Sequence, residues 1–156
     1  MTRSTSTLFA LAGALLIALP LAPPQSAAAT TMSYKPVAAK TAAGKTVTLP
    51  DGLKYTVLKT GKGPLPRAGQ IAVVHYTGTF TNGKTFDSSR GGKPLEFPLG
   101  RRKVIACWDE AVAMMHVGDR RKLVCPPALA YGAHGYPPVI PPNATLNFDV
   151  ELVGIK

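Results

Sequence analysis

Three histidines, eight acids and two cysteines are the chain's obvious means of doing chemistry. Covalent catalysis needs a nucleophile, a base and a group that orients the base. No G-x-S-x-G elbow occurs, and His75, His116 and His134 are scattered. His75, between Val74 and Tyr76, reads as structural. His116 reads as a cation at a helix end, where it suits the dipole, and His134 as an exposed loop residue. There is no H-E-x-x-H, phosphate loop or dinucleotide fingerprint. Asp109 and Glu110 are the one adjacent acid pair, and helix neighbours point apart. Cys107 and Cys125 are too few for a four-ligand zinc site. They are either two buried thiols or a disulfide closing a short loop, the latter worth on the order of 3 kcal/mol. No metal or cofactor is expected, and a conventional hydrolase or transferase is disfavoured.

What stands out instead is aromatic: Tyr76, Phe86, Phe97, Trp108, Tyr131, Tyr136 and Phe148. Any one of them is ordinary core material. As a set with polar ends to satisfy, they suit a concave apolar pocket bearing a few polar groups.

The elements that must position them are mostly strands. Leu53–Leu58 alternates loosely, and Ile71–Phe80 is rich in β-branched and aromatic residues. Asn82-Gly83 is a strong hairpin signal, after which Thr85–Asp87 resumes a strand. Leu95–Leu99 is a short strand interrupted by Pro98. Val104, Ile105, Trp108, Val112 and Met115 fall at helical spacing, predicting one helix over Val104–Met115 that Gly118 can end. Arg120–Cys125 is a strand with Leu123 and Cys125 on one face. Pro126–Asn143 holds six prolines yet carries Leu129, Tyr131, Tyr136, Val139 and Ile140, so it reads as a functional loop. Thr145–Ile155 alternates as a last strand. The expectation is an α+β domain: a curved antiparallel sheet of about five strands wrapped around one short α-helix.

The chain has 156 residues and a formal charge of +10, from 18 Lys and Arg against 8 acids. Residues 1–29 carry only Arg3, then an apolar run from Leu8 to Leu21, then small residues to Ala29. That is the pattern of a cleavable signal peptide, too short to be comfortable as a retained span. A mature chain of about 127 residues, periplasmic or secreted, is expected. Residues 30–51 read as a flexible basic lead, with a strand possible at Thr46–Leu49, and 52–156 as the folded domain. Residues 30–70 hold seven basic residues against Asp51, and 71–156 ten against seven. No basic stripe with interleaved aromatics appears, so nucleic acid is not expected as a partner. Arg101-Arg102-Lys103 and Arg120-Arg121-Lys122 read as solvated surface. The first directly precedes Val104-Ile105.

In order, the chain carries Val74-His75-Tyr76-Thr77-Gly78, Asn82-Gly83-Lys84 and Phe86-Asp87-Ser88-Ser89-Arg90. It continues with Phe97-Pro98-Leu99-Gly100, Val104-Ile105, Trp108 and Val117-Gly118. Ala130-Tyr131-Gly132, Ile140-Pro141-Pro142-Asn143-Ala144-Thr145-Leu146 and Phe148-Asp149-Val150-Glu151-Leu152 complete the series. From about Gly52 onward this resembles the FKBP-type peptidyl-prolyl cis–trans isomerases, the macrolide-binding immunophilins, of an exported bacterial kind. The resemblance implies a curved sheet around one helix and rotation about X–Pro bonds without covalent chemistry. It implies Trp108 as the pocket floor and Tyr76, Phe86 and Phe148 as aromatic walls. Val104 and Ile105 match a wall segment whose Ile105 N–H binds a ligand carbonyl. Tyr131 matches a phenol donor, Asp87 a carboxylate near the reacting amide, and Ile140 a residue closing over the ligand. Phe97, Leu95 and Tyr136 complete the pocket, with Leu95 standing where an aromatic is common and Tyr136 where His or another aromatic stands. The Gly91-Gly92 stretch is short and lacks an Arg that in some members pairs with Asp87; Arg90 and Lys93 are the candidates to replace it. Cys107 and Cys125 are departures from the family pattern that flank the helix-to-strand return, which favours their pairing. The partners implied are proline-containing polypeptides and rapamycin-type macrolides, with no nucleic acid, no membrane span after processing, and a monomer. The competing reading is a folding chaperone or peptide-binding module with incidental isomerase activity.

Overall fold

The computed structural model describes residues 43–156. The signal peptide and residues 30–42 of the basic lead lie outside the described residues. The strands are β1 (Thr46–Thr48), β2 (Lys54–Lys59), β3 (Ile71–Phe80), β4 (Thr85–Ser88), β5 (Leu95–Pro98), β6 (Arg120–Cys125) and β7 (Leu146–Ile155). One helix, α1 (Ala106–Ala113), and a single 3₁₀ turn at Pro127–Leu129 complete the set. All pairing is antiparallel, in the order β1-β2-β6-β7-β3-β4, with β5 also on β3.

The α+β reading holds, but the sheet has seven strands rather than about five. Ten-residue β3 pairs with β7 along its length. Its other edge takes β5 at Ile71–Val74 and β4 at Thr77–Thr79, so two short strands share one lane. The other addition is β1, whose Thr46, Val47 and Thr48 pair with Thr56, Tyr55 and Lys54. Thr46–Thr48 therefore belong to the sheet, as the strand read at Thr46–Leu49 anticipated, and this corrects the reading of a flexible lead extending to residue 51.

Side chains alternate across a strand, and the core follows that period. Ala72, Val74 and Tyr76 of β3 and Leu146, Phe148, Val150 and Leu152 of β7 are buried, as are Leu123 and Cys125 of β6. Arg121 shares that face and is only 7% exposed. This corrects the reading of Arg120-Arg121-Lys122 as uniformly solvated.

The helix is shorter than the predicted Val104–Met115. Its buried residues Cys107, Trp108, Ala111 and Val112 recur one turn apart and form one apolar face. Eight residues are too few for a helix to persist alone. Packing holds it, together with a disulfide from Cys107 to Cys125 on β6 (Cα–Cα 5.8 Å). The chain enters late because Asp109 reaches back: its oxygens accept Gly100 N–H and Arg102 N–H, both at 3.0 Å. That capture folds residues 100–103 into a turn with Arg102 at φ 53°. At the exit Met114 and Met115 donate to Ala111 and Val112, three residues back, which tightens the last turn. His116 lies beyond the helix, with Nδ1 2.9 Å from the Gly63 carbonyl oxygen. Gly118 (φ 94°) makes the later turn into β6.

Glu110 leaves the other side of α1 toward Asp51. Burial, then a hydrogen bond with Asp51 and its charge, push the Glu110 carboxyl up to about 7. The folded acid keeps its proton between its ordinary value and about 7 while the unfolded chain has released it. Stability is therefore highest at the acid end of that window and falls as pH rises through it. Glu110 is half-exposed, so solvent screening reduces the effect to about 1 kcal/mol. Urea unfolding at pH 5 and pH 8 should show this loss in the native chain and none of it in Glu110→Gln. Equal pH slopes for the two proteins would refute the pairing.

Candidate functional site: an aromatic pocket

Trp108 is the hub of the aromatic set. Tyr76 and Phe148 meet its ring edge-on, at centroid distances of 4.9 and 5.3 Å, and Phe97 lies tilted at 6.0 Å. Phe86 meets Phe148 at 5.8 Å, and Phe80 meets Phe86 at 4.9 Å. Edge-on contacts place the positive rim of one ring against the negative face of another. Trp108, Tyr76, Phe97 and Phe148 are fully buried, and Phe86 is half-buried. Leu95, which stands where the family commonly has an aromatic, is half-buried against the same core. Trp108 owes its position to α1, Tyr76 to β3, Phe86 to β4, Phe97 to β5 and Phe148 to β7.

Gly78, opposite Phe148 in the β3–β7 ladder, makes room for these rings. A Cβ there would stand 2.6 Å from Phe86 Cζ and 3.0 Å from Phe148 Cε1. A glycine inside a strand marks such close approach. That glycine in a strand is the one sequence signal for Gly78 as a site residue. Phe80, which the sequence places simply in a strand, joins the rings through Phe86.

Polar groups border this apolar set. Tyr76 O–H donates to Asp87 at 2.7 Å, and Asp87 also accepts Ser88 N–H at 2.8 Å. Asp87 thus has a phenol and a backbone amide as partners. Arg90, one expected substitute, instead pairs with Asp149 and Glu151, and Lys93 is solvent-exposed. Burial, then the hydrogen bond to Asp87 and its charge, raise the Tyr76 phenol well above its usual range. Burial and then the Asp87 charge do the same to Tyr131. Both phenols are therefore fixed as donors. Tyr131 differs in having no partner: its O–H is buried and unbonded, and so is Trp108 Nε1–H.

Tyr131 follows the 3₁₀ turn, where Ala130 N–H and Gly132 N–H both donate to Pro127 O. Its ring lies 5.8 Å from Tyr136. Tyr136 and Ile140 exchange backbone hydrogen bonds, both 2.8 Å, which closes the loop and holds Ile140 buried. Val104 and Ile105 are also buried. Ile105 caps α1 with extended backbone (φ −57°, ψ 147°), so its N–H precedes the helical ladder. Beside the cluster, a cavity of about 830 Å³ between the β3–β4 turn and the proline loop shares Ile140 with it.

Nothing in the cluster is a nucleophile. The nearest Ser–His contact is His75 Nδ1 to Ser89 Oγ at 3.2 Å, and buried Ser89 Oγ already accepts Tyr76 N–H at 2.9 Å. That serine braces β3 against the end of β4. His134 is exposed.

A curved antiparallel sheet on one helix thus encloses an aromatic cluster bordered by two buried donors, Tyr131 O–H and Trp108 Nε1–H, that have no hydrogen-bond partner. The model of the FKBP-type peptidyl-prolyl cis-trans isomerase family matches residues 63–153. The chain belongs to this family and is a peptidyl-prolyl cis–trans isomerase. Peptidyl-prolyl cis-trans isomerase FKBP1A of Xenopus laevis is 51% identical over 107 residues, covering 67% of this chain and 99% of that protein. FK506-binding protein 4 of Dictyostelium discoideum is 57% identical over 107 residues; the match covers 69% of this chain and 29% of that longer protein. Of solved structures, AtFKBP13 aligns with a TM-score of 0.69 and 38% identity, over 72% of this chain and 99% of the other. FkpA from Escherichia coli aligns at 0.65 and 46% identity, over 71% of this chain and 51% of the other.

Proposed function

We propose that the chain accelerates rotation about X–Pro bonds of exported polypeptides by binding the twisted amide in the aromatic pocket. The observation that carries this reading is the buried, unbonded Tyr131 O–H next to a closed aromatic cluster. The rotation barrier of ~18–20 kcal/mol comes from amide resonance. The twisted amide has lost that resonance and its charge separation. An apolar enclosure of Trp108, Tyr76, Phe86, Phe148 and Ile140 favours it over the polar planar form, which is differential binding of the transition state. Tyr131 O–H and Ile105 N–H hold the peptide carbonyls, and Asp87, fixed by Tyr76, sets the field beside the amide. Phe97, Leu95, Val104 and Tyr136 shape the space that receives prolyl side chains or a rapamycin-type macrolide. The apolar run and small residues of 1–29 support export to a periplasm or the exterior.

A protease-coupled isomerisation assay on prolyl tetrapeptides tests the roles. One hydrogen bond contributes about 0.5–1.5 kcal/mol net. Tyr131→Phe should accordingly lose about two- to tenfold in kcat/KM and in macrolide affinity, and Asp87→Asn should lose kcat without losing the fold. Unchanged rates in both would reject the assignment. The mass of protein recovered from expressing cells tests export, with cleavage expected near Ala29.

A further inference from the structure

All eight acids of the chain lie within the described residues, and each is already engaged. Glu96 holds Lys156, Asp149 holds Arg120 and Arg90, and Glu151 holds Lys59 and Arg90. Asp119 holds Arg121, and Asp87 accepts Tyr76 O–H. Asp51 accepts Leu53 N–H, and its charge bears on the Glu110 carboxyl. Asp109 is the informative one. It lies seven residues from Arg102 in sequence, yet its two oxygens take the backbone N–H groups of Gly100 and Arg102. It therefore fixes the turn without neutralising the guanidinium groups. Arg101, Arg102 and Lys103 are all exposed, and among the described residues none is within ion-pair distance of a carboxylate. This uncompensated charge sits on a rigid segment. Lys103 adjoins Val104, and its Cα is within about 7.6 Å of that of Ile105. That distance is shorter than the screening length of about 10 Å at 0.1 M salt.

We infer that the Gly100–Lys103 turn is a specificity element that selects prolyl segments with acidic residues flanking the proline. The inference rests on the pocket reading above. Asp87 has the opposite sign, so an acidic flank is drawn toward the turn and away from β4. Arg101 leans over the 67–70 turn, where its guanidinium would lie 3.7 Å from a Cβ at Gly69. Arg102 and Lys103 therefore carry most of the selection.

The test compares kcat/KM for tetrapeptides with Glu, Gln or Lys before the proline. Clefts of one sign raise encounter rates of opposite charges, and salt removes the advantage. At about 20 mM ionic strength the Glu peptide should exceed the Gln peptide by about fivefold, with Lys lowest. At 0.5 M salt the three should converge. In R101Q/R102N/K103Q the ratio should flatten while Gln-peptide turnover stays unaltered; Asn is chosen because it tolerates the positive φ. A Glu/Gln ratio near one at low salt, or a ratio that survives the triple substitution, overturns the inference while the isomerase stands. No turnover of the Gln peptide by the native chain would instead reject the pocket reading, and the inference with it.

Discussion

Trp108→Ala is expected to reduce kcat/KM for prolyl tetrapeptides by about a hundredfold or more and to lower folding stability by about 3–5 kcal/mol. The indole is 1% exposed, and Tyr76, Phe97 and Phe148 all pack against it. Alanine leaves a void bounded by three rings with nothing to stop their movement. The Tyr76 ring is the one that bears on the proposed mechanism, because its O–H holds Asp87 at 2.7 Å. A tilted Tyr76 releases that carboxylate from the position in which Ser88 N–H also fixes it. The alanine variant risks unfolding under assay conditions, so Trp108→Leu is the companion. Leucine keeps apolar bulk and should cost less stability, about 1–3 kcal/mol, while still losing about tenfold in rate. Urea unfolding and the coupled assay at low temperature separate the two effects. A leucine variant with the native kcat/KM would show that the indole only fills space.

Some of this arrangement was legible because its cause is local. β-Branched and aromatic content exposes β3 in the sequence, period-two alternation exposes β7, and Asn82-Gly83 marks the turn between β3 and β4. The partners of the aromatic residues are not local. Tyr76, Trp108 and Phe148 come from three distant segments: their residue types group them as one aromatic set, but only the family resemblance assigns them floor and walls. Helix spacing alone included Val104 and Ile105 in α1. Their exclusion depends on Asp109 capturing two amides from the preceding turn, a side-chain contact that no periodicity encodes. Asp87 follows the same logic. The family pattern points to a cationic partner, Arg90 or Lys93, whereas its partner is a phenol on the adjacent strand. The disulfide differs again: compartment and family departures favoured it, but only a fold that sets α1 against β6 makes the two cysteines neighbours.

Asp119→Ala is expected to cost about 3–5 kcal/mol of folding stability, comparable to losing the central tryptophan, and to leave the chemistry of the folded enzyme intact. Charge composition reads Arg121 as solvated, but strand alternation puts it on the core face beside Leu123. Asp119 is 2% exposed and Arg121 7%. Asp119 Oδ1 accepts Gly61 N–H at 2.6 Å, while Oδ2 accepts His116 N–H at 3.0 Å and Arg121 Nη2 at 2.9 Å. Arg121 also donates to Met114 O at 2.6 Å and lies over the Tyr55 ring at 4.9 Å. One carboxylate thus joins the loop after β2, the exit of α1 and β6. Removing it leaves a buried guanidinium without its counter-charge, the costly half of a buried pair. Arg121→Met alone should cost less, because Asp119 keeps its two amide donors. Asp119→Ala/Arg121→Met removes both charges but leaves Gly61 N–H and His116 N–H unpaired, each worth about 1–3 kcal/mol. The double variant should therefore fall short of native stability yet lose less than the two single losses added. A coupling energy of about 1–3 kcal/mol is expected from the cycle, measured by urea unfolding at neutral pH. Simple additivity would mean that the two side chains are held independently by their backbone partners. A kcat/KM lowered in the folded variants would mean that the exit of α1 also positions Trp108.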